Sequence, residues 1–377
     1  MNCYDVAIVG GGLAGLTAAI HLAKEGLSIV LFEKKTYPHH KVCGEYVSEE
    51  VVPYLERMGV PLGQIPYQRI RHLQLSTVNG RMVDVQLPLG GIGLSRHCLD
   101  DTLYRHALTL GVKVMKRTVK SVRYSTADGR FAIGTDVDGD INATVAIGAY
   151  GKRDALDKRL QRNFIRNKSS WLGVKAHYRY TGFSDDLVAL HNFEGGYGGL
   201  SKTETGAVNF CYLASYATFQ KYPDIASFQQ KVVSKNPHLG AFLKKAEPLF
   251  DAPLTIAQIS FAPKRAVVDH MLMCGDTAGL IHPLCGNGMA MAIHSAKIAS
   301  EAVLRYFSVS DSDRTQLEKA YTKSWNEQFA VRMRTGRILQ KLLLNPQLSR
   351  TAMATVARSS WLLQKIIANT HGKPLVC

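Results

Sequence analysis

The chain of 377 residues has no run of ~18 apolar residues, the length a helix needs to cross a bilayer. It also has no Cys-x-x-Cys pair. Its seven cysteines, Cys3, Cys43, Cys98, Cys211, Cys274, Cys285 and Cys377, are scattered and odd in number. That argues against a disulfide framework and against a zinc site, and it fits a reducing compartment. No set of His, Asp and Glu has metal-ligand spacing, so no metal is expected. The first apolar strand begins near Tyr4, which leaves no room for a leader, and a cytoplasmic protein is expected. Acid is missing from one end. No Asp or Glu follows Glu327, whereas Arg332, Arg334, Arg337, Lys341, Arg350, Arg358, Lys365 and Lys373 do. Much of the net charge of +16 is therefore local. Such a tail suits a membrane surface, an acyl or prenyl phosphate, an acidic carrier protein or a solvated face. No nucleic-acid-binding motif accompanies it, which argues against DNA or RNA.

Apolar residues make up 46% of the chain, enough for a sizeable core. The chain opens on an apolar run, Val6 to Val9, that ends in Gly10-Gly11-Gly12-Leu13-Ala14-Gly15. A helical pattern over 12–26 follows. Strand, tight turn and helix in this order form a dinucleotide fingerprint. Gly10 allows the turn, Gly12 admits a phosphate to the backbone, and Gly15 lets the helix pack on the strand. The helix N-terminus offers free N–H groups to a pyrophosphate. A second apolar run, Ser28 to Phe32, ends in Glu33, placed to hold ribose hydroxyls.

Further along, a loop over 37–47 leads to a helix capped by Ser48 that runs through Met58. Alternation around Asn79-Gly80 predicts a hairpin over 70–94. The pattern then predicts a helix from Leu99 to Leu110, strands over 113–122 and 131–136, and a buried strand over 144–149. Frequent alternation over 171–261 predicts an antiparallel sheet, interrupted at Gly195–Gly199, with one helix near 225–234. An apolar strand over 267–274 and helices over 289–307, 313–345 and 347–370 complete the chain.

Two later stretches bear on the same cofactor: Arg96 followed by Asp100, and Gly275-Asp276-Thr-Ala-Gly-Leu-Ile-His-Pro283-Leu-Cys-Gly286-Asn-Gly288. A nicotinamide enzyme needs only the amino-terminal fingerprint. A flavin enzyme also needs an acid for the ribityl chain and a second glycine-rich helix start beside the ring. Over residues 4–300 the chain resembles the FAD-dependent oxidoreductases that include geranylgeranyl reductases, aromatic-ring hydroxylases and flavin halogenases. The Gly275–Gly288 segment matches that family's late motif, and Lys41-Val-Cys43-Gly44-Glu45 resembles a loop of the geranylgeranyl-reductase branch. Three departures stand out. Tyr150-Gly151 replaces the hydroxylases' Asp-Gly, the halogenase W-x-W-x-I-P segment is absent, and Gly196–Lys202 only partly echoes a reductase substrate motif.

The resemblance implies FAD as cofactor, with NAD(P)H or a separate reductase as electron source. It implies a glutathione-reductase-like α/β fold: a Rossmann-type parallel sheet over 1–69, 95–165 and 262–312, an antiparallel substrate sheet over 70–94 and 166–261, and a helical cap over 313–377. The implied cofactor contacts are Gly10, Gly12, Leu13, Ala14, Gly15, Glu33, Lys34, Lys41, Cys43, Gly44, Arg96, Val119, Gly275, Asp276, Pro283, Gly286, Asn287, Gly288 and Met289. Cys43, Glu45 and Lys175 are the candidate catalytic residues. Lys175 alternates with Val174 and Ala176, so it faces the pocket or solvent. Ser95 and Ser201 have no recognisable partners. The expected activity is redox chemistry on an apolar small molecule. Hydroxylation through a flavin hydroperoxide leads, reduction of isolated C=C bonds in a prenyl or polyene chain is the alternative, and a protein-bound substrate is the third.

Overall fold

The computed structural model describes residues 3–166, 169–282, 286–309, 313–344 and 372–375. Two sheets organise them. The first is centred on Cys3–Val9, which runs parallel to Ile29–Glu33 on one side and to Ile141–Gly148 on the other. Val6, Ala7 and Ile8 are fully buried. Burial on both faces is why this strand reads as an unbroken apolar run rather than an alternation. The helix Leu13–Lys24 packs against the helices Arg96–Thr109 and Gly288–Ser308. Lys113–Lys116 extends the sheet beyond Ile29–Glu33, and Met271–Met273 extends it beyond Ile141–Gly148.

This order brings three parallel strand ends together. Cys3–Val9 ends at Gly10, Ile141–Gly148 leads to Tyr150-Gly151, and Met271–Met273 leads to Gly275-Asp276. A crevice at the carboxyl ends of such strands is where α/β sheets bind ligands.

Several expected boundaries are corrected. The strand over 113–122 is two strands. The Arg117 N–H returns to the Glu33 and Met115 carbonyls, and Val119–Ser125 then leaves to pair with Arg130–Thr135. The strand over 267–274 is a hairpin, because Asp269 and His270 both take the left-handed conformation (φ 45° and 64°). Only Leu272 and Met273 of it join the parallel sheet. The helix expected at Leu99 begins at Arg96, with Ser95 Oγ accepting from the Cys98 N–H (3.1 Å) as cap.

The second sheet orders Trp171–Arg179, Val208–Ser215, Gly196–Lys202, Leu187–Phe193, Gln68–Ser76, Met82–Gly93 and Tyr46–Ser48. The expected hairpin is present and joins this sheet, but through a parallel pairing of Gln68–Ser76 with Leu187–Phe193. Gly195–Gly199 does not interrupt the sheet; Gly196–Lys202 is a strand. A Cβ at Gly198 would stand 2.6 Å from the Phe210 ring, so glycine there makes room for an aromatic neighbour. One face of the sheet packs Val174, Ala176, Phe210 and Tyr212 against Phe228, Leu239 and Phe242. The last three come from two helices, Ile225–Lys231 and Pro237–Lys245, where a single helix is expected from the sequence. The period of two turns Lys175, His177, Ser201, Asn209 and Cys211 to the opposite face.

The long helix Arg314–Leu344 buries Tyr321, Trp325 and Phe329 against Gly288–Ser308. The helix expected over 347–370 lies outside the described residues. Arg332 is not part of a solvated basic face. It is buried, with Nη1 3.3 Å from the buried carboxylate of Glu50. Residues 372–375 close over that pair, where the Leu375 N–H donates to the Glu50 carbonyl (2.7 Å). No described helix is long and apolar enough to cross a membrane.

Candidate functional site

A cleft of about 820 Å³ runs from Glu33 and Val119 at one end to Cys43, Leu190 and Tyr197 at the other. That volume lies in the range of small-molecule and cofactor sites. Gly10, at φ 105°, makes the turn that opens it, and a Cβ there would meet the Ala149 carbonyl and Tyr150 Cα. Gly15 sits behind the cleft, against the Gly10 carbonyl. At Gly12 the space is open. A Cβ there would have only Arg96 Nη2 at 3.7 Å and Lys41 Nζ at 3.9 Å near it. Both cations are pinned by Asp100, which receives Arg96 Nε and Nη2 at 2.8 Å each and Lys41 Nζ at 2.8 Å. Asp100 is fully buried. Burial would raise its pKa, but the charges and hydrogen bonds of Arg96 and Lys41 hold it below the usual carboxylate range. An open helix start flanked by two cations fits a diphosphate.

Glu33 accepts from the N–H groups of Gly11 and Lys35 (2.9 Å each). Gly275 approaches the first helix closely, with its would-be Cβ 3.1 Å from Ala14 Cβ. Its N–H donates to Ser295 Oγ (2.8 Å), and the Gly151 N–H donates to Thr277 Oγ1 (2.8 Å). Tyr150 fills the place of the hydroxylases' Asp with a phenol directed at the buried pair Asp157 and Arg162. Among the described residues, seven Lys or Arg line the cleft against four Asp or Glu, so their summed charge is positive.

The structure gathers Gly10, Gly12, Leu13, Ala14, Glu33, Lys34, Lys41, Cys43, Gly44, Arg96, Val119, Gly275, Asp276, Gly286, Gly288 and Met289 along this cleft. Asn287 is fully buried at the start of its helix, and its carbonyl accepts from the Met291 N–H. Pro283 lies outside the described residues.

The candidate catalytic residues separate. Cys43 is half-buried and lines the cleft. Lys175 faces neither pocket nor solvent: it is fully buried, and its Nζ donates to Glu45 Oε1 (2.5 Å). His177 Nε2 lies 2.6 Å from Glu45 Oε2, and the Arg96 N–H donates to Oε1 (2.8 Å). Burial pushes the Glu45 pKa up, but the His177 hydrogen bond and the Lys175 charge outweigh it and keep the carboxyl ionised. Glu45 holds a left-handed φ of 53° under these bonds. His40 adds a third ligand-type atom, all within 4.8 Å of one another. The Lys175 ammonium already neutralises the only acid of that group, which disfavours a cation there.

Ser95 and Ser201 do have partners. Ser95 Oγ donates to Glu204 Oε1 (2.6 Å), and Ser201 Oγ donates to the Gly44 carbonyl (3.0 Å). Sequence reasoning also missed Asn209, Lys152 and His177. The alternation that carries Lys175 was the available signal for Asn209 and His177, since both share its sheet face.

At the far end Tyr197, Leu213, Ile259 and Leu280 form an apolar wall with Leu190 and Ile256. His282 packs on Phe261 and Tyr197, and burial lowers its pKa to about 3. Burial, with Arg332 and Lys297 adding to it, does the same to His294, also to about 3. The unfolded chain binds these protons near pH 6.5 while the folded chain does not. Stability is therefore full above pH 6.5 and falls as pH drops. From pH 6.5 to 5.5 each histidine costs about 1 kcal/mol. Urea denaturation at the two pH values tests this: His294→Phe is expected to lose about 1 kcal/mol less than the wild type, and an equal loss overturns the assignment.

A family model described as FAD binding domain matches residues 3–305. The chain is 26% identical over 338 residues to digeranylgeranylglycerophospholipid reductase 1 of Methanothermobacter thermautotrophicus, covering 82% of this chain and 79% of that protein. It is 23% identical over 380 residues to menaquinone reductase of Mycobacterium tuberculosis, covering 95% and 88%. Among solved structures, the flavin-dependent brominase Bmp2 superposes with a TM-score of 0.80 at 18% identity, covering 98% of this chain and 93% of that one. At that identity the likeness establishes the fold.

Proposed function

The chain belongs to the FAD binding domain family, and on that premise we propose that it is an oxidoreductase reducing an isolated C=C bond in an apolar prenyl or polyene chain. One observation carries the substrate class. The end of the cleft is walled by the apolar side chains of Leu190, Leu213, Ile256, Ile259 and Leu280 with the Tyr197 ring, and Thr255 and Gln258 are the polar residues beside Ile256 and Ile259 in its lining. A polar substrate would find few partners along that wall, whereas a hydrocarbon loses nothing. Two relatives named as reductases, one of a digeranylgeranyl lipid and one of menaquinone, support the reaction type.

FAD would lie with its diphosphate against Gly12, between Arg96 and Lys41, and with Glu33 at the ribose. Asp276 would face the ribityl chain, and Gly286 to Met289 would meet the ring. Bound FAD supplies the electron pair. Cys43, at the ring end, is the candidate proton donor to the second carbon of the C=C, because it is the cleft-facing thiol of the 41–45 loop. Cys211 stays a neutral thiol, since burial pushes its pKa up to about 12. The apolar wall excludes water. NAD(P)H or a separate reductase would supply the electrons. The basic carboxy-terminal stretch would meet a membrane surface or an acidic carrier protein.

Oxygen-dependent hydroxylation is the second reading, favoured by the same water-excluding wall. Purified protein is expected to be yellow. Reduced anaerobically and given a polyprenyl substrate, it is expected to yield product with two added hydrogens. Product carrying an added oxygen, formed only in air, would move the assignment to hydroxylation. Colourless protein that cannot be reconstituted with FAD would sink both readings.

A further inference from the structure

The loop over residues 41–44 hangs from side chains by all four of its carbonyls. Lys175 Nζ donates to the Lys41 carbonyl (3.2 Å) and Lys152 Nζ to that of Val42 (3.4 Å). Asn209 Nδ2 donates to the Cys43 carbonyl (3.2 Å) and Ser201 Oγ to that of Gly44 (3.0 Å). Three of the four donors come from adjacent strands of the second sheet. Lys175 and Asn209 are fully buried, and Ser201 is nearly so. Four backbone acceptors paired by four separate side chains is costly to arrange for a loop with only a packing role.

The peptide unit explains what the arrangement does. In a trans peptide the N–H points opposite to the carbonyl of the same unit. Lys175, Asn209 and Ser201 hold the carbonyls of Lys41, Cys43 and Gly44 toward the second sheet, which turns the N–H groups of Val42, Gly44 and Glu45 away from it. Val42, Cys43 and Gly44 border the cleft. Among the described residues, none accepts from their N–H groups. Protein backbone donors are rarely left unpaired at such a place. A run of like-directed N–H groups attracts an anion or an electron-rich carbonyl edge.

We propose that Lys175, Asn209 and Ser201 are positioning residues that hold loop 41–44 so that its N–H groups become donors to the electron-accepting edge of the flavin ring. This rests on the FAD reading above. Donors aimed where negative charge accumulates stabilise the reduced ring more than the oxidised one. The second sheet, which carries the apolar wall, thereby sets the cofactor's reduction potential. Glu45 locks the same loop from its other end through Lys175 and His177.

The test is the two-electron midpoint potential of the FAD-loaded protein, with the visible spectrum of bound FAD as a second readout. Ser201→Ala and Asn209→Leu each remove one anchor at a separate carbonyl without adding charge. Each is expected to weaken the reduced state about tenfold relative to the oxidised one, which lowers the potential by about 30 mV. Ser201→Thr keeps the hydroxyl and is expected to restore it. FAD affinity should change less than threefold, because Arg96 and Lys41 stay pinned by Asp100 in both variants. Variants that bind FAD with unchanged potential and spectrum overturn the proposal. A wild type that binds no FAD overturns the cofactor reading instead, so the two failures are distinct.

Discussion

Gly12→Asp is expected to abolish FAD retention while leaving the fold intact. The position is the N-cap of the helix Leu13–Lys24, with φ −86° and ψ −172°. Those angles suit any residue, and Asp is among the best caps, stabilising a helix by about 1 kcal/mol. The nearest atoms to a new Cβ are the Arg96 guanidinium and the Lys41 ammonium, at 3.7 and 3.9 Å. The carboxylate would therefore take the diphosphate's place and its two cations. Against a bound diphosphate, like charges about 4 Å apart cost about 4 kcal/mol at an effective dielectric near 20. That corresponds to a loss of roughly a thousandfold in affinity. Gly12→Ala adds bulk without charge and is expected to lose less than tenfold. The checks are FAD titration and urea denaturation of the apoprotein. Equal losses in the two variants would show that the site does not read charge. Unfolding of the apo Asp variant would show that the open space at Gly12 is not open.

Glu45→Gln is expected to destabilise the protein by about 3–5 kcal/mol, the cost of leaving one partner of a buried ion pair uncompensated. Lys175 is fully buried, and among the described residues Glu45 is the only carboxylate placed on its Nζ, 2.5 Å away. Lys175→Met should also destabilise, because Glu45 would keep only His177 and the Arg96 N–H. The double variant Glu45→Gln, Lys175→Met should cost less than the two single changes together, since it removes both charges. Denaturation of the four proteins gives the coupling energy. Additive losses would mean that the charges do not see each other. A small loss for Glu45→Gln alone would mean that water reaches Lys175.

The site is legible in the sequence wherever contacts are local. Gly10 to Gly15 and Glu33 belong to one strand–helix–strand unit, and the angles of that unit follow from short-range sterics. The Gly275–Gly288 segment declares itself by its own glycines and acid. Arg96 and Asp100 stand one helical turn apart, so their pairing follows from helix geometry. Reading failed where one residue's meaning depends on a distant strand. Lys175 looks like a pocket or surface lysine until Glu45, 130 positions away, is seen to neutralise it. Ser201 and Asn209 look idle until the loop carbonyls at Gly44 and Cys43 are placed on them. Gly195 to Gly199 look like a break until the Phe210 ring is seen to need the space. Arg332 looks like part of a basic tail until Glu50 is found beneath it.

By itself the sequence determined the parallel strand, the glycine-rich turn and the pairing of Arg96 with Asp100 one helical turn away. These rest on backbone sterics and on charges within a few residues of each other. Only the tertiary structure decided which face of the second sheet meets residues 41–45, that Glu45 and Lys175 form a lock, and that the far end of the cleft is walled by apolar side chains. Those outcomes depend on how two sheets stack. A period of two leaves either face free to turn inward, and burial of the Phe210 and Tyr212 side against two helices makes the choice.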